Sequence, residues 1–301
     1  MRATTKLRQA LKNGMVVAPG CFDPFSARLA ELAGFEAIHM TGGGVEATQL
    51  CAPDLGLLTM TEVVHHVGRM ANAVGIPIIA DIDTGFGGVL SVQRTIREME
   101  RAGVGGVHLE DQTLPKHCPL LGGRTVVSRG QAVDRLKAAL DARTDADFVI
   151  IARTDSDTIS YNEMVDRLNL FLETGADVAM PVPLSMEGGP SKLTPDGQME
   201  FYRKMLKDIN GPVMKEGFGP PEGYTEQDLA ELGFAIVIYG AQPLGVAANA
   251  LSAFFRDLKE KRTDRHFISA NPGPYHDPLM WMRVAHLDEY VEIEKRYPQS
   301  L

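Results

Sequence analysis

Eight short apolar runs, separated by segments of helical pattern, constrain the fold of this 301-residue chain more than any other feature. Most of the runs are rich in Val and Ile, and each is bounded by Gly, Pro or a polar residue. Such runs are typical of strands that are buried on both faces of a parallel sheet. They cover residues 15–20, 37–42, 76–83, 106–111, 148–155, 178–183, 212–217 and 235–240.

The segments between the runs have the apolar spacing of helices, and all but one of them end close to a glycine, as helix C-termini often do. They cover residues 23–34, 60–75, 92–103, 131–143, 162–175 and 225–233. Eight strands that alternate with helices predict an α/β fold, the (β/α)8 or TIM barrel. An open doubly wound sheet is the alternative, which the lack of a Gly-rich dinucleotide fingerprint after the first run disfavours.

The same pattern predicts the domain organisation. We expect residues 1–240 to form the barrel, preceded by a short amphipathic N-terminal helix, and residues 241–301 to form a helical extension interrupted at 269–278. The N-terminus lacks the apolar stretch of a secretory signal. No apolar run approaches the roughly 18 residues of a membrane span.

Composition narrows the function classes. The 39 acidic and 30 basic residues leave a formal charge of −9, which disfavours nucleic acid and anionic membranes as partners. The three cysteines, Cys21, Cys51 and Cys118, do not make a disulfide framework, and we therefore expect a cytoplasmic protein.

Carboxylates gather where the predicted strands end, which is where a barrel places its active site. Asp81 and Asp83 alternate along one strand and share a face, and Glu110 ends the next strand. Buried carboxylates repel one another unless a cation neutralises them, and Mg²⁺ suits such a set. The alternative is a structural role, in which one or two of them cap helices or pair with Arg153.

Three further features lie at this rim. Thr41-Gly42-Gly43-Gly44 offers backbone N–H groups that can bind a carboxylate or phosphate, and the Arg153 guanidinium suits a substrate carboxylate. Loop 112–130 carries Lys116 and Cys118, and a cysteine near a lysine can donate or accept a proton. The alternative is an ordinary surface loop with an inert cysteine. His65, His66 and His276 lie away from the strand ends and are interpreted as packing or surface residues.

Taken together, these segments resemble the isocitrate lyase and phosphoenolpyruvate mutase superfamily, and methylisocitrate and dimethylmalate lyases in particular. The resemblance covers most of the barrel, and the combination of DxDTGFG with EDQ…KxC is specific. The matching segments are Thr41-Gly42-Gly43-Gly44, Pro53-Asp54-Leu55-Gly56, Asp81-Ile82-Asp83-Thr84-Gly85-Phe86-Gly87, His108-Leu109-Glu110-Asp111-Gln112, Lys116-His117-Cys118 and Ala152-Arg153-Thr154-Asp155.

The resemblance implies an enzyme that depends on Mg²⁺, with Mn²⁺ as a substitute, and acts on 2-hydroxy or 2-oxo carboxylic acids through an enolate of pyruvate type. It implies that Asp81, Asp83 and Glu110 hold the metal and its waters, with Asp54 in the same network. It assigns the substrate carboxylate to Thr41, Gly42 and Gly43, with support from Arg153. It places Lys116 and Cys118 on a gating loop whose cysteine protonates the departing carbanion. It further implies a homotetramer in which the C-terminal helices are exchanged between neighbouring barrels.

The chain differs from the lyases of the superfamily at four places. The loop lacks the Arg and the final His of their Lys-Arg-Cys-Gly-His sequence, and His39 replaces a Tyr that is a candidate base for the substrate hydroxyl. Strands 6 and 7 read Met180-Pro181-Val182-Pro183 and Met214-Lys215-Glu216-Gly217, without the lyases' Glu and Asn. The last two differences favour a distal substrate fragment that is smaller or more apolar than that of isocitrate.

Three hypotheses follow. The first is a carbon–carbon lyase that cleaves a substituted 2-hydroxy dicarboxylate and releases pyruvate or another 2-oxo acid, with Cys118, Lys116, Arg153 and His39 as catalytic residues. The second is an oxaloacetate decarboxylase or, since the loop lacks Asn, less favourably a phosphonate mutase. The third is a non-catalytic barrel that serves as a binding subunit, which the carboxylate cluster argues against.

Overall fold

The computed structural model describes residues 1–271 and 277–297 of the chain. Its eight strands coincide with the eight predicted runs. They are β1 (Val16–Cys21), β2 (Ile38–Met40), β3 (Ile78–Asp81), β4 (Gly106–Glu110), β5 (Val149–Thr154), β6 (Val178–Pro181), β7 (Met214–Lys215) and β8 (Ile236–Tyr239).

The strands form one parallel sheet in the order β6-β5-β4-β3-β2-β1-β8-β7. A single parallel bridge between Ala179 and Val213 joins β6 to the residue that precedes β7. The sheet is therefore a nearly closed barrel. The predicted (β/α)8 fold is confirmed, and the open doubly wound alternative is wrong.

Helices follow the strands around the barrel, and the six predicted segments are all helical. The helices of this part are α1 (Ala3–Asn13), α2 (Pro24–Leu32), α3 (Gly42–Leu50), α4 (Met60–Ala73), α5 (Val89–Ala102), α6 (Arg129–Ala142), α7 (Tyr161–Thr174), α8 (Pro195–Asp208) and α9 (Glu226–Leu232).

Helix α3 was not expected, because three successive glycines are poor helix formers. Its N-cap is Thr41, whose hydroxyl accepts the N–H of Gly44 at 3.4 Å. Val45 and Glu46 in the same helix are buried. Capping and burial thus override propensity, and the predicted Gly-rich turn is the first turn of a helix.

Alternation along the strands sorts the barrel into an inner and an outer face. The inner face is apolar in its lower part, where Leu7 of α1 joins an inner cluster that includes Ala37, Ile79 and Ile151. The strand residues two positions further along on the same face are His39, Asp81 and Arg153. The layer of polar side chains therefore lies directly against the apolar inner core of the barrel.

The chain divides into two compact units, Met1–Pro243 and Leu244–Leu301. The C-terminal helices are α10 (Gln242–Lys261), α11 (Arg265–Ala270), α12 (Met280–Val284) and α13 (Leu287–Arg296). Residues 272–276, within the predicted interruption and including His276, lie outside the described residues. None of the twenty residues of α10, all of which the structure describes, is buried. Within the described ranges no helix is long and apolar enough to cross a membrane.

Candidate active site

The residues predicted to carry the chemistry meet at the carboxyl ends of β2 to β5. Strand register sets Asp81 beside His108 and Glu110 beside Arg153. Each of these side chains is on the inner face, whereas Asp111 points outward and accepts hydrogen bonds from Thr154, Arg167 and the N–H of Asp155. Asp111 therefore supports the barrel wall, and Glu110 faces the site.

The carboxylates of the site are crowded and short of hydrogen-bond donors. Oε1 of Glu110 is buried and has no hydrogen-bond partner among the described residues. Burial raises the pKa of Glu110 well above its usual range, and burial with the nearby charge of Asp81 raises the pKa of Asp83 to about 6. Burial also acts against ionised Asp81, but His108, Lys116 and Arg153 outweigh it and hold the pKa of Asp81 well below its usual range.

Lys116 supplies one positive charge to this cluster. Its Nζ lies 2.7 Å from Oδ1 of Asp83 and also pairs with Asp54, and the residue is only 3% exposed. Burial lowers the pKa of Lys116, but four surrounding carboxylates raise it above its usual value. Even with the Arg153 guanidinium beside Glu110, two positive charges do not neutralise four carboxylates. The orphaned oxygen of Glu110 and the excess of negative charge therefore fit a divalent cation with its waters.

On one side of the cluster, atoms that could coordinate a metal ion lie close together. Atoms of His39, Asp81 and His108 all lie within 4.8 Å of one another, so Asp81 is the predicted metal residue that belongs to a compact group. Mg²⁺ usually keeps several waters, through which Asp83 and Glu110 can reach it.

Arg153 is held rigidly from two sides. Its Nε and Nη2 bind the two oxygens of Asp155 at 2.9 and 3.0 Å, and its Nη1 lies 2.9 Å from Oε2 of Glu110. Arg124 of loop 112–130 also pairs with Asp155. The structural pairing of Arg153 with Glu110, considered from the sequence, is therefore present. A guanidinium has five N–H donors, so these contacts leave two for a ligand.

Gly42 and Gly43 allow carboxylates to approach the start of α3. A Cβ on Gly42 would lie 2.7 Å from Oδ2 of Asp81, and a Cβ on Gly43 would lie 2.9 Å from Cβ of Asp54. Side chains are therefore excluded at both positions by residues of the site itself. The N–H groups of this first turn, next to Thr41, are those for which the sequence predicts anion binding.

Loop 112–130 is folded onto the site. The N–H of Cys118 donates to the carbonyl of Asp54 at 3.1 Å, and the side-chain amide of Gln112 bonds both the N–H and the carbonyl of His117. Burial, with a smaller contribution from Asp54, raises the pKa of the half-buried Cys118 thiol, although the backbone at Leu120 acts the other way. The interpretation of this segment as an ordinary surface loop is wrong, because Lys116 is buried among the carboxylates.

Glu46 and His108 are site residues that sequence reasoning missed. Glu46 is buried in α3 and accepts the N–H groups of Leu55, Gly56 and Leu57 at 3.2, 3.1 and 2.7 Å, which holds the segment that contains Asp54. His108 precedes Glu110 by two positions, so alternation could have placed it on the inner face. No signal pointed to Glu46, because α3 itself was not predicted.

The two remaining differences from the lyases of the superfamily are in strands 6 and 7, and their residues lie on both faces of the barrel. Met180 and Val182 on the inner face are apolar and buried. Lys215 is fully buried, and its Nζ contacts Glu216 at 3.0 Å, the Phe218 carbonyl at 2.7 Å and the ring of Tyr202 in α8. His66 is buried, and its Nε2 lies 2.8 Å from the carbonyl of Phe22, the residue that follows β1.

A parallel barrel with its buried polar cluster at the carboxyl ends of the strands defines the class, an α/β-barrel enzyme. The sequence profile of the phosphoenolpyruvate phosphomutase family matches residues 7–259. The chain belongs to the phosphoenolpyruvate mutase/isocitrate lyase superfamily and is a carbon–carbon lyase of that superfamily, which confirms the resemblance found in the sequence.

Individual relatives agree with this assignment. The chain is 39% identical over 267 residues to 2,3-dimethylmalate lyase of Eubacterium barkeri, which covers 87% of this chain and 88% of the relative. It is 34% identical over 260 residues to 2-methylisocitrate lyase of Aeropyrum pernix, and the match covers 85% of this chain and 80% of the relative.

Solved structures give the same result. A 2,3-dimethylmalate lyase superposes with a TM-score of 0.85 at 34% identity, over 99% of this chain and 96% of that chain. An oxaloacetate acetylhydrolase in complex with 3,3-difluorooxalacetate also superposes with a TM-score of 0.85. The identity is 32%, and the match covers 97% of this chain and 96% of that chain. The fold is thus shared with proteins that are named as a lyase and as a hydrolase.

Proposed function

We propose that this enzyme cleaves a substituted 2-hydroxy dicarboxylate of the dimethylmalate type into pyruvate and a second carboxylic acid. The observation that carries the proposal is the position of Cys118, whose loop is folded onto the carboxylate cluster and whose N–H bonds the Asp54 carbonyl at 3.1 Å. Because the thiol pKa is raised by burial, Cys118 is a protonated acid at neutral pH. A C–C lyase needs such an acid to protonate the carbon that departs.

Asp81, Asp83 and Glu110 would hold a divalent cation and its waters, with Asp54 in the same network. Mg²⁺ fits the all-oxygen set, and Mn²⁺ could replace it. When bound, the cation would supply positive charge against the oxygens of the 2-oxo acid that forms. The orphaned Oε1 of Glu110 supports this assignment.

The other steps, binding of the substrate and transfer of its hydroxyl proton, would be carried out by residues of the chain. Thr41, Gly42 and Gly43 would bind the substrate carboxylate at the start of α3, and Arg153 would support it with its two free N–H groups. An imidazole nitrogen of His39 takes the proton of the 2-hydroxyl group, and the C2–C3 bond breaks as the C2=O bond forms.

The electron pair of the broken bond moves to C3, where the distal carboxylate delocalises it. The thiol of Cys118 then donates its proton to C3. One proton leaves the substrate hydroxyl and one is added to C3, so the reaction is balanced without an external reductant or oxidant. Lys116 holds the loop closed through Asp54 and Asp83, which keeps water away from C3.

Apolar side chains support a small distal fragment. The inner-face residues at the end of β6 are Met180 and Val182, and both are buried hydrocarbon or thioether groups without a charge. A methyl-substituted carbon fits such a wall better than a third carboxylate, because a buried charge without a partner is costly. This supports dimethylmalate rather than isocitrate as the substrate type.

The test compares cleavage of 2,3-dimethylmalate by the wild-type enzyme, Cys118→Ser and the matched control Cys51→Ser, whose cysteine is exposed. We expect Cys118→Ser to lose about 10²-fold or more in kcat with unchanged Mn²⁺ binding, and Cys51→Ser to retain full activity. Full activity of Cys118→Ser would contradict the proposal. Accelerated loss of oxaloacetate by both variants, with every hydroxy acid untouched, would favour the decarboxylase instead.

We also propose that the enzyme is a cytoplasmic homotetramer in which the C-terminal helices pack on neighbouring barrels. Helix α10, which has no buried residue, supports this, since Val246, Leu251 and Phe255 are 69%, 54% and 59% exposed. Apolar side chains of this size on one helix favour coverage by another subunit. Sedimentation velocity would show the tetramer, and a monomer at micromolar concentration would contradict it.

A further inference from the structure

Loop 112–130 is closed at its base by two short antiparallel segments, residues 111–113 and 125–127. The N–H groups of Thr113 and Val127 each donate across this pair at 2.9 Å, and an antiparallel bridge joins the middle residues of the two segments. Gln112 is the middle residue of the first segment and is only 1% exposed. Its side chain is therefore attached to the fixed end of the loop.

From this base the Gln112 side chain reaches the middle of the loop. Its Nε2 donates to the carbonyl of His117 at 3.0 Å, and its Oε1 accepts the N–H of His117 at 2.9 Å. The amide has one donor nitrogen and one acceptor oxygen, so both bonds form in only one orientation of the group. Arg135 of α6 holds Gln112 in turn, because its Nη1 donates to the Gln112 carbonyl at 2.9 Å.

His117 stands between the two loop residues that contact the carboxylate cluster. Its N–H belongs to the peptide group that joins it to Lys116, and its carbonyl belongs to the peptide group that joins it to Cys118. Each peptide group is planar, so a hydrogen bond to each of them fixes how the backbone passes through residues 116–118. Gln112 thus sets the direction in which both neighbouring side chains leave the loop.

The contact of Gln112 differs in kind from the other contacts of residues 116–118. Lys116 is held by the charges of Asp54 and Asp83, and the N–H of Cys118 donates to the Asp54 carbonyl at 3.1 Å. A cation at the carboxylates competes with the ammonium of Lys116 for the same negative charge. The two bonds of Gln112 join neutral groups and do not depend on that charge.

We propose that Gln112 is a positioning residue, which holds Cys118 beside Asp54 so that its thiol can donate a proton to the departing carbon. Gln112 acts through the peptide groups of His117 and does not touch the substrate. The inference rests on the proposed function for the role of Cys118 as the acid. Displacement of a reacting group by about 1 Å costs about 10²-fold in rate, so two hydrogen bonds at this point affect the chemical step strongly.

The position of the loop can be tested in the free enzyme, without substrate. The full chain and Gln112→Met are alkylated with iodoacetamide, and mass spectrometry gives the rates at half-buried Cys118 and at exposed Cys51, which is the reference within the same molecule. We expect the ratio of the Cys118 rate to the Cys51 rate to rise roughly 5- to 100-fold in Gln112→Met, because loss of two hydrogen bonds increases the fraction of open loop. An unchanged ratio in the folded variant would overturn the inference.

Two further variants separate positioning from a general loosening of the protein. Gln198→Met is the matched control, since Gln198 is a half-buried glutamine of α8 whose Nε2 donates to the Leu193 carbonyl at 3.2 Å. Gln112→Asn keeps a buried amide, but its side chain is one methylene shorter and cannot reach both atoms of His117. Urea unfolding identifies the folded variants. We expect the wild-type ratio in Gln198→Met and a raised ratio in Gln112→Asn; an equal rise in Gln198→Met would overturn the inference.

Steady-state cleavage of 2,3-dimethylmalate supplies the second readout. We expect Gln112→Met to lower kcat by about 10- to 100-fold with KM and Mn²⁺ affinity nearly unchanged, because Gln112 contacts neither the first turn of α3 nor Arg153. Gln198→Met should keep wild-type kcat. Wild-type kcat in Gln112→Met, or a loss carried entirely by KM, would overturn the inference.

The outcome is distinct from a failure of the proposed function. If the wild-type enzyme cleaves no hydroxy acid, the proposed reaction is wrong, and the alkylation ratio alone decides whether Gln112 holds the loop. If dimethylmalate is cleaved and the ratio is the same in wild type and Gln112→Met, the reaction stands and the role of Gln112 is wrong.

Discussion

Gly42→Ala tests whether close approach of backbone and carboxylate determines the activity. In the native protein the first turn of α3 has no side chain at this position, and an ideal Cβ would lie 2.7 Å from Oδ2 and 3.0 Å from Cγ of Asp81. Ordinary contact begins near 3.4 Å, so the carboxylate must move by roughly 0.7 Å. Oδ1 of Asp81 accepts the N–H of Asp83 at 2.9 Å, and this bond would be strained as well.

The magnitude follows from the sensitivity of catalysis to position. Misplacement of a reacting or positioning group by about 1 Å costs about 10²-fold in rate, so we expect a loss of roughly 10- to 100-fold in kcat/KM. Folding should not suffer to the same extent. Alanine is favoured over glycine within a helix by about 1 kcal/mol, which offsets part of the clash.

The matched control is Gly130→Ala, which also lies in the first turn of a helix, α6, but has nothing within 4 Å of an ideal Cβ. Steady-state cleavage, Mn²⁺ binding and urea unfolding are measured for both variants. We expect Gly130→Ala to match the wild type in activity, and Gly42→Ala to lose both activity and metal affinity while it remains folded. Wild-type kcat/KM and Mn²⁺ affinity in Gly42→Ala would refute the account of this turn.

Two further outcomes are expected. In Glu46→Gln, an amide that donates replaces an oxygen that accepts backbone N–H groups of residues 55–57. Urea unfolding should show a loss of about 1–3 kcal/mol in the free energy of unfolding. No loss would mean that the segment is held by other contacts. Alkylation of Cys118 by iodoacetamide, followed by mass spectrometry, should still accelerate as pH rises past 9, because its pKa is raised above the ordinary value of 9.0 and the thiolate fraction keeps increasing; a rate that levels off below pH 8 would contradict this.

The strands could be predicted because their signal is local and strong. Continuous runs such as 148–155 are buried on both faces, and no helix within residues 1–271 and 277–297 has a comparable pattern. Knowledge that barrel sites lie at the carboxyl ends of strands was then sufficient to place Asp81, Glu110 and Arg153 in one layer. The register between neighbouring strands is not needed to place these three residues in that layer.

The parts that could not be predicted depend on contacts between distant residues. Helix α3 begins with glycines that propensity rejects, and it forms because Thr41 caps it and Val45 and Glu46 are buried. Asp81 and Asp54 leave no room for a side chain on those glycines. The burial of Lys116 depends on how a whole loop folds, and sequence spacing alone made an exposed loop the simpler interpretation. The contact between His39 and His108 spans the intervening β3, and it follows from side-chain geometry inside a closed barrel.

The most direct test of the proposed reaction is a proton NMR time course of the purified protein with Mg²⁺ and 2,3-dimethylmalate, alongside other 2-hydroxy di- and tricarboxylates and oxaloacetate. The account predicts that the signals of pyruvate and propionate grow in equal amounts as those of dimethylmalate disappear, while isocitrate reacts much more slowly or remains intact. If every hydroxy acid remains intact while oxaloacetate disappears faster than in the Mg²⁺ blank, the lyase assignment to this substrate class is contradicted.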